Sequence, residues 1–536
     1  MRGNGQFEWI TSCPFHFNIE KMKAFYFSGV YTIKVGRGDW MASVVEWLVG
    51  QVWSIGLVIF ALGAGIYFSV ITRFVQIRYF IEMIKLLREG KSSNEGISSF
   101  QAFCLSLSGR VGVGNIAGVA TAIAFGGPGA VFWMWVMALL GGASAFVEST
   151  LSQLYKTKVG DEYRGGTPYF IEKGLKMKWF AVLVAIVVTL SYGLLLPGIQ
   201  SSSIAVGFEN SSQISKYITG ILLVALLGAI IFGGVKRIAV ASQMLVPFMA
   251  IGYVIVTCIV LLANVTEIPT MFALIFSSAF GTNELFGGIV GAAIAWGVKR
   301  AVFSNVAGVG EATYSSAAAE VSHPAKQGLV QAFSVYIDTI VVCTATALMI
   351  LITGMYNVTP EGQKPIVQKM GNIEAGPVYT QQAVETIFPG FGPLFVSIAI
   401  FFFAFTTLLA YYYIAETTLI YLDHKFKWKW LKTVLKVVFL IMVYIGSVES
   451  ASLLWNLGDL GIGSMAWLNL LAIILLTKPA LKVLKDYEKQ RKEGKDPVFD
   501  PKQAGIEGVE FWEDVYTNKE GMVVEESVST DNNLKL

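Results

Sequence analysis

Between Leu105 and Gly141 an apolar stretch carries Gly109, Gly112, Gly114 and Gly118 together with one arginine, Arg110. A helix that simply crosses a bilayer has no use for that combination. Glycine inside a helix costs roughly 1 kcal/mol relative to alanine, and an unpaired backbone group in hydrocarbon costs several. A break is tolerated where the backbone lines a cavity and its freed groups meet a ligand. The stretch therefore reads as a discontinuous helix opened near residues 109–115, against the alternative of a glycine-packed helix interface. The chemistry of such a break is the binding of a small polar ligand and an ion. The outer half would begin at Gly112, Val113 and Gly114, whose free N–H groups and positive partial charge suit a carboxylate. The inner half would end near Ser108, where free carbonyls suit a hard cation such as sodium. Asn115 adds a side-chain oxygen one step further on.

A second stretch, residues 287–319, repeats the pattern. It contains Phe303, Ser304 and Asn305 followed by Gly308-Val309-Gly310, an echo of Gly112-Val113-Gly114. Matching interrupted segments in two halves of a membrane protein point to a transporter with its site at the midplane. Gln200 is a lone amide in mid-helix after Pro197, read either as a ligand contact or as an interhelical hydrogen bond. Arg110, Glu148, Asp338, Glu311 and Glu416 fall within spans, where ionisable groups pair or face water. For Glu148, Asp338 and Glu416 structural ion pairing is the expectation, while Arg110, beside the break, either lines the inner path or pairs with Glu148 or Asp338. Trp133 and Trp135 read as interfacial anchors.

The elements that position these residues are spanning helices. The chain has 536 residues, 54% hydrophobic and 14% charged, with a mean hydropathy of +0.60. That is too little charge to cover a soluble protein of this size, and several apolar runs exceed the ~18 residues needed to cross a bilayer. Loops rich in lysine and arginine alternate with loops that lack them, which places eleven helices with the N-terminus outside and the C-terminus inside. Lys34 and Arg37, before the first helix, run against that rule. The expected divisions are an extracytoplasmic segment 1–46, a membrane domain 47–478 and a cytoplasmic tail 479–536 that looks mostly disordered. The three histidines, His16, His323 and His424, fall in loops, and no His-Glu-x-x-His or nucleophile elbow is present. The four cysteines have no metal or redox spacing. Neither an enzyme nor a cofactor is expected, and no nucleic-acid partner.

Gly126 to Gly141, Gly-Gly-Pro-Gly-Ala-Val-Phe-Trp-Met-Trp-Val-Met-Ala-Leu-Leu-Gly, resembles the signature of the sodium:alanine symporter family, the alanine/glycine:cation symporters. Gly112–Ala120 resembles that family's Gly-x-Gly-Asn-Ile-Ala-Gly-Val-Ala run, and His323–Gln331 is similar as well. The resemblance covers most of residues 50–480. It implies an all-α polytopic fold of the leucine-transporter-like kind, a 5+5 inverted repeat after one extra helix. It implies a prokaryotic inner-membrane symporter that imports a small neutral amino acid, such as alanine or glycine, with sodium as coupling ion. By the same resemblance Phe403, Thr406 and Thr407 face Ser108 and Val111 around sodium, while Gly112, Val113, Gly114, Gln200, Phe303, Ser304 and Asn305 hold the substrate. The chain departs from the family pattern at Val113, Ser202, Val306 and Glu311; a glutamate is usual at 306 and a serine at 311. A proton-coupled transporter, a passive channel, a nutrient sensor and a membrane enzyme are the alternatives. Oligomeric state is not legible.

Overall fold

The computed structural model describes residues 40–89, 96–160, 162–426 and 430–516. The chain divides into Met1–Val44 and Val45–Leu536; of the first, only residues 40–44 are described. Lys34, Arg37 and nearly all of the expected N-terminal segment lie outside the described residues.

Among the described residues eight helices are long and apolar enough to cross a bilayer, and one bent pair makes nine. The other two of the eleven expected spans are Lys216–Ile231, an apolar helix of 16 residues, and the interrupted segment Val290–Ala318. After the span Ala42–Ile71, each interrupted helix opens a run of five, the order of a leucine-transporter-like 5+5 fold.

The first break is built locally. Ser98 and Gln101 form a reciprocal cap that starts Ser99–Arg110 (α1). Helical geometry stops at Val111, with ψ 86°. A π-helical turn, Gly114–Gly118, leads into Val119–Gly126 (α2), and the halves meet at 51°. Gly129–Leu154 (α3) then packs along Val290–Asn305 (α4) so closely that a Cβ at Gly297 would meet the Ala130 carbonyl oxygen at 2.5 Å. Small residues permit that approach where lipid gives helices no hydrophobic reason to associate.

The second break follows α4. Val306 takes a left-handed conformation, φ 45°, and Gly308 and Gly310 have φ 81° and 95°. Two of these three are glycines that adopt it freely; for the β-branched Val306 it stores strain of order 1–3 kcal/mol. Ala312–Ala318 (α5) completes the segment. Gly392–Phe426 (α6) lies against α1 and carries the threonines opposite the first break.

Beyond the last span the expectation of disorder fails. Thr477–Lys492 (α7) is helical, and the chain remains packed as far as Trp512. Trp512 is fully buried, and its indole donates to the Gln153 carbonyl at 3.0 Å. Phe499 N–H donates to Ser322 O at 2.9 Å. The mixed-charge composition concealed Phe499, Phe511 and Trp512, which bury enough area to order the segment. Residues 517–536 lie outside the described residues.

Candidate functional site

At the end of α1 the carbonyls of Ser108 and Val111 lose their helical partners. Both turn to one hydroxyl on α6: Thr407 Oγ1 donates to Ser108 O at 2.9 Å and lies 3.4 Å from Val111 O. The same hydroxyl lies 2.9 Å from Phe403 O. Four of the five expected cation ligands therefore converge, at the negative end of a helix. Thr406 behaves differently. Its hydroxyl bonds back to Phe402 O and Phe403 O at 3.0 Å and approaches Met249 Sδ at 3.7 Å, so it touches the cluster through the Phe403 carbonyl alone. Ser242, not singled out in the sequence, lies 3.4 Å from the Ser108 hydroxyl.

The amides after the break are capped by side-chain oxygens. Gly112 N–H donates to Asn115 Oδ1 at 2.9 Å, and Val113 N–H to Gln200 Oε1 at 3.2 Å. The Gln200 amide nitrogen lies 3.4 Å from the Tyr411 hydroxyl. Gly114 abuts the second break: a Cβ there would lie 3.2 Å from Ser304 Cα and 3.3 Å from the Phe303 ring. Phe303 in turn packs on Trp455, ring centroids 5.1 Å apart.

A buried carboxylate joins the two breaks. Asp338, in a π-helical turn Tyr336–Cys343, accepts from Asn115 Nδ2 at 2.7 Å, Ser304 Oγ at 2.9 Å and Thr339 Oγ1 at 2.7 Å. The expectation of an ion pair for Asp338 is not met among the described residues; its partners are an amide and two hydroxyls. Glu148 likewise accepts from Asn469 Nδ2 at 2.7 Å, and that amide also reaches Gly308 O at 2.9 Å. Asn305, expected at the substrate, instead caps the break: its oxygen accepts Ala307 N–H at 3.0 Å and its amide donates to Thr339 at 3.1 Å.

Reasoning from sequence named Asp338 but expected a structural ion pair there, not a link between the two breaks. Its signal was there, a carboxylate inside a span, but nothing along the chain says that position 338 lies beside both 115 and 304. Away from the tail, Arg300 pairs with Asp459 at 3.0 Å, stacks over Trp455 at 4.3 Å from its centroid, and lies one helical turn from Ser304. Asp459 also holds Lys299 at 2.8 Å.

Two interrupted helices, an oxygen cluster and a buried carboxylate shared by both breaks define a multi-pass membrane carrier. The model of the sodium:alanine symporter family matches residues 38–501, and the chain belongs to that family, one of transporters and not enzymes. Among its relatives, YrbD of Bacillus subtilis (strain 168) is 57% identical over 479 residues, 89% of this chain and 99% of that one. The sodium/proton-dependent alanine carrier protein of Bacillus sp. (strain PS3) is 53% identical over 435 residues, 81% and 98% of the two chains. The sodium/alanine symporter AgcS of Methanococcus maripaludis is 35% identical over 459 residues, 84% and 98%.

Proposed function

We propose that this chain imports alanine, or an amino acid of similar size such as glycine, together with sodium. The observation that carries the reading is the convergence of Ser108 O, Val111 O and Phe403 O on the Thr407 hydroxyl. Neutral oxygens at a helix C-terminus form a site for a small monovalent cation, with too few ligands for calcium. The relatives named for alanine and sodium support the same cargo.

The substrate carboxylate takes the amides of Gly112, Val113 and Gly114, displacing the oxygens of Asn115 and Gln200. Its ammonium lies toward Ser304 and Asp338, whose carboxylate is one amide group away from that cradle. Phe303 and the contact of Gly114 with Ser304 leave room for a small side chain only. Sodium ties α1 to α6, elements of opposite halves, and so favours the arrangement in which the amino acid finds its site formed. Each ligand then tightens the other. The tail faces the cytoplasm.

Counterflow of labelled alanine in proteoliposomes tests the reading. Exchange that rises with sodium, and accumulation driven by an inward sodium gradient, are the expected results. Equal uptake with and without sodium would remove the coupling. Asp338→Asn should lower kcat/KM for alanine at least 100-fold, on the order of 3 kcal/mol for a charged hydrogen-bonding partner.

A further inference from the structure

We propose that Glu311 is a proton site, separate from the sodium site, that takes up and releases one proton in each transport cycle. The inference rests on the reading of the chain as an alanine carrier and adds a second coupling ion to it.

Glu311 stands at the end of the second break, just before α5, and is 3% exposed. Its Oε2 accepts the Tyr192 hydroxyl at 2.8 Å. Its Oε1 has no hydrogen-bond partner among the described residues, and neither has the Ser106 hydroxyl. Glu311 and Ser106 line one small cavity together with Ser315 and Tyr413, with about 10 Å³ for the centre of a water-sized species. That is room for about one water. An unpartnered carboxylate oxygen beside space for a single water is what proton exchange with solvent needs. The step is the transfer of a proton from hydronium to Oε1, leaving water, and its reversal on the other side of the cycle.

The buried charges give an independent reason. Arg110, Glu148, Glu311 and Asp338 are all buried, one guanidinium against three carboxylates. No nitrogen of Arg110 has a hydrogen-bond partner among the described residues, and it acts on all three carboxylates through space, Glu148 foremost. The sodium ligands are neutral, and an amino acid enters as a zwitterion. Counted apart from the Arg300–Asp459–Lys299 group, these four are left by one sodium with one negative charge, a costly state inside a membrane. A proton closes the balance. Asp338 already receives three donors. Glu148 and Glu311 each receive one donor and keep one oxygen without a hydrogen-bond partner among the described residues, and of the two it is Glu311 that lines the cavity.

The groups that face Glu311 come from every element packed on it. Arg110 comes from the end of α1, Tyr192 from the π-turn Ser191–Leu195, Asp338 from the turn after Pro324–Val335, and Tyr411 and Tyr413 from α6. Arg164, on the short strand Glu162–Arg164 against α5, is turned to Glu162 and Thr417. Glu311 Oε1 also presses on Gly109, where any Cβ would collide with it. The charge of Glu311 thus acts directly on the contact between the two interrupted helices, the part that must move when the carrier changes orientation.

The test uses the full chain in proteoliposomes with equal sodium on both sides, the membrane potential clamped, external pH above 7 and a pH dye trapped inside. In the wild type, added alanine should acidify the lumen, and an inward proton gradient should drive alanine above equilibrium. Glu311→Gln should lower proton entry per alanine at least tenfold, whereas Glu311→Asp, which keeps the carboxylate, should retain it. Proton entry per alanine unchanged in Glu311→Gln overturns the assignment. So does sodium counting that gives two ions per alanine in the wild type and one in Glu311→Gln without proton entry in either, which would make the cavity a second sodium site. Should Glu311→Gln not fold, Ser106→Ala is expected to shift the pH midpoint of proton-driven uptake, and an unmoved midpoint overturns the proposal. Sodium-driven uptake without protons in the wild type sinks this inference alone; no alanine uptake under any gradient sinks the reading beneath it.

Discussion

Thr406 and Thr407 are adjacent in sequence and chemically identical, yet only one reaches across to α1. Thr407 donates to Ser108 O at 2.9 Å, whereas Thr406 bonds to its own helix. A threonine that bonds back to its helix carbonyls is the ordinary outcome in a span. Thr407→Val should therefore raise the sodium needed for half-maximal uptake about 10-fold or more, the size of a lost contact to a charged group. Thr406→Val should raise it less than about 3-fold, the range of a weak interhelical contact. Sodium titrations of the two single variants separate them, and equal effects would place the ion elsewhere. Gln200 Oε1 holds the Val113 amide at 3.2 Å. Gln200→Ala should raise the apparent KM for alanine by a factor corresponding to about 1–3 kcal/mol, with thermal stability little changed. Unaltered uptake kinetics would leave Gln200 as packing.

At the scale of elements, the two interrupted helices work because they touch. A methyl group at Gly114 would crowd the Ser304 backbone at 3.2 Å and the Phe303 ring at 3.3 Å, whereas a Cβ at Gly118 would find nothing nearer than 3.8 Å. Gly114→Ala is thus expected to push the two breaks apart and cut the initial uptake rate at least tenfold. Gly118→Ala should leave it within about twofold, because a methyl at ordinary contact distance from Trp455 and Arg300 costs little and alanine favours helix. Similar losses in both variants would show that helix flexibility, rather than contact between the breaks, is what the glycines supply. The strained Val306 belongs to the same scale. Strain of this kind persists only where surrounding packing enforces it, and it holds the second break open beside the first.

Across the whole molecule the tail is a strap. Arg78 pairs with Glu488 at 2.5 Å, Arg491 with Glu82 at 2.9 Å and Lys326 with Asp496 at 2.5 Å. These partly exposed pairs contribute little on their own; burial of Trp512 and Phe499 contributes more. His323 is buried at this seam. Its Nδ1 accepts Ala325 N–H at 3.1 Å and its Nε2 faces Asp486 at 3.2 Å, so the geometry requires the neutral ring. Burial lowers its pKa below the usual value of about 6.5, outweighing the attraction of Asp486. The unfolded or undocked state therefore binds the proton more readily. Stability of the seam is complete above about pH 6.5 and is lost as pH falls toward the folded value. Amide exchange at residues 496–513, corrected for its intrinsic pH dependence, should quicken below that pH. In His323→Asn, which keeps a capping oxygen, the pH effect should vanish; its persistence would point to another group. Sidedness is tested by labelling from outside the cell: a cysteine placed at exposed Asn372 should react and one at exposed Gly494 should not. The reverse pattern would overturn the assignment of the tail to the cytoplasm.

Much of this was legible along the chain because it is written in local physics. Hydropathy and length set the spans, since a bilayer demands apolar helices of fixed length. Gly109–Gly118 and Gly308–Gly310 marked both breaks, since glycine is where a helix is given up and left-handed backbone is free of strain. The family was legible in the run from Gly126 to Gly141. Tertiary structure decided what depends on distance through space between residues far apart in sequence. It chose Thr407 over Thr406, because the rotation of α6 against α1 is set by packing of the whole bundle. It turned Asp338 from a supposed ion-pair partner into the node between Asn115 and Ser304, 223 and 34 residues away. It ordered the tail, whose few aromatics are scattered along the chain and collect into one buried cluster only when folded. And it set Glu311 against Gly109 and Ser106, a juxtaposition no spacing encodes, because side-chain charges at membrane depth are positioned by the helices around them rather than by their own.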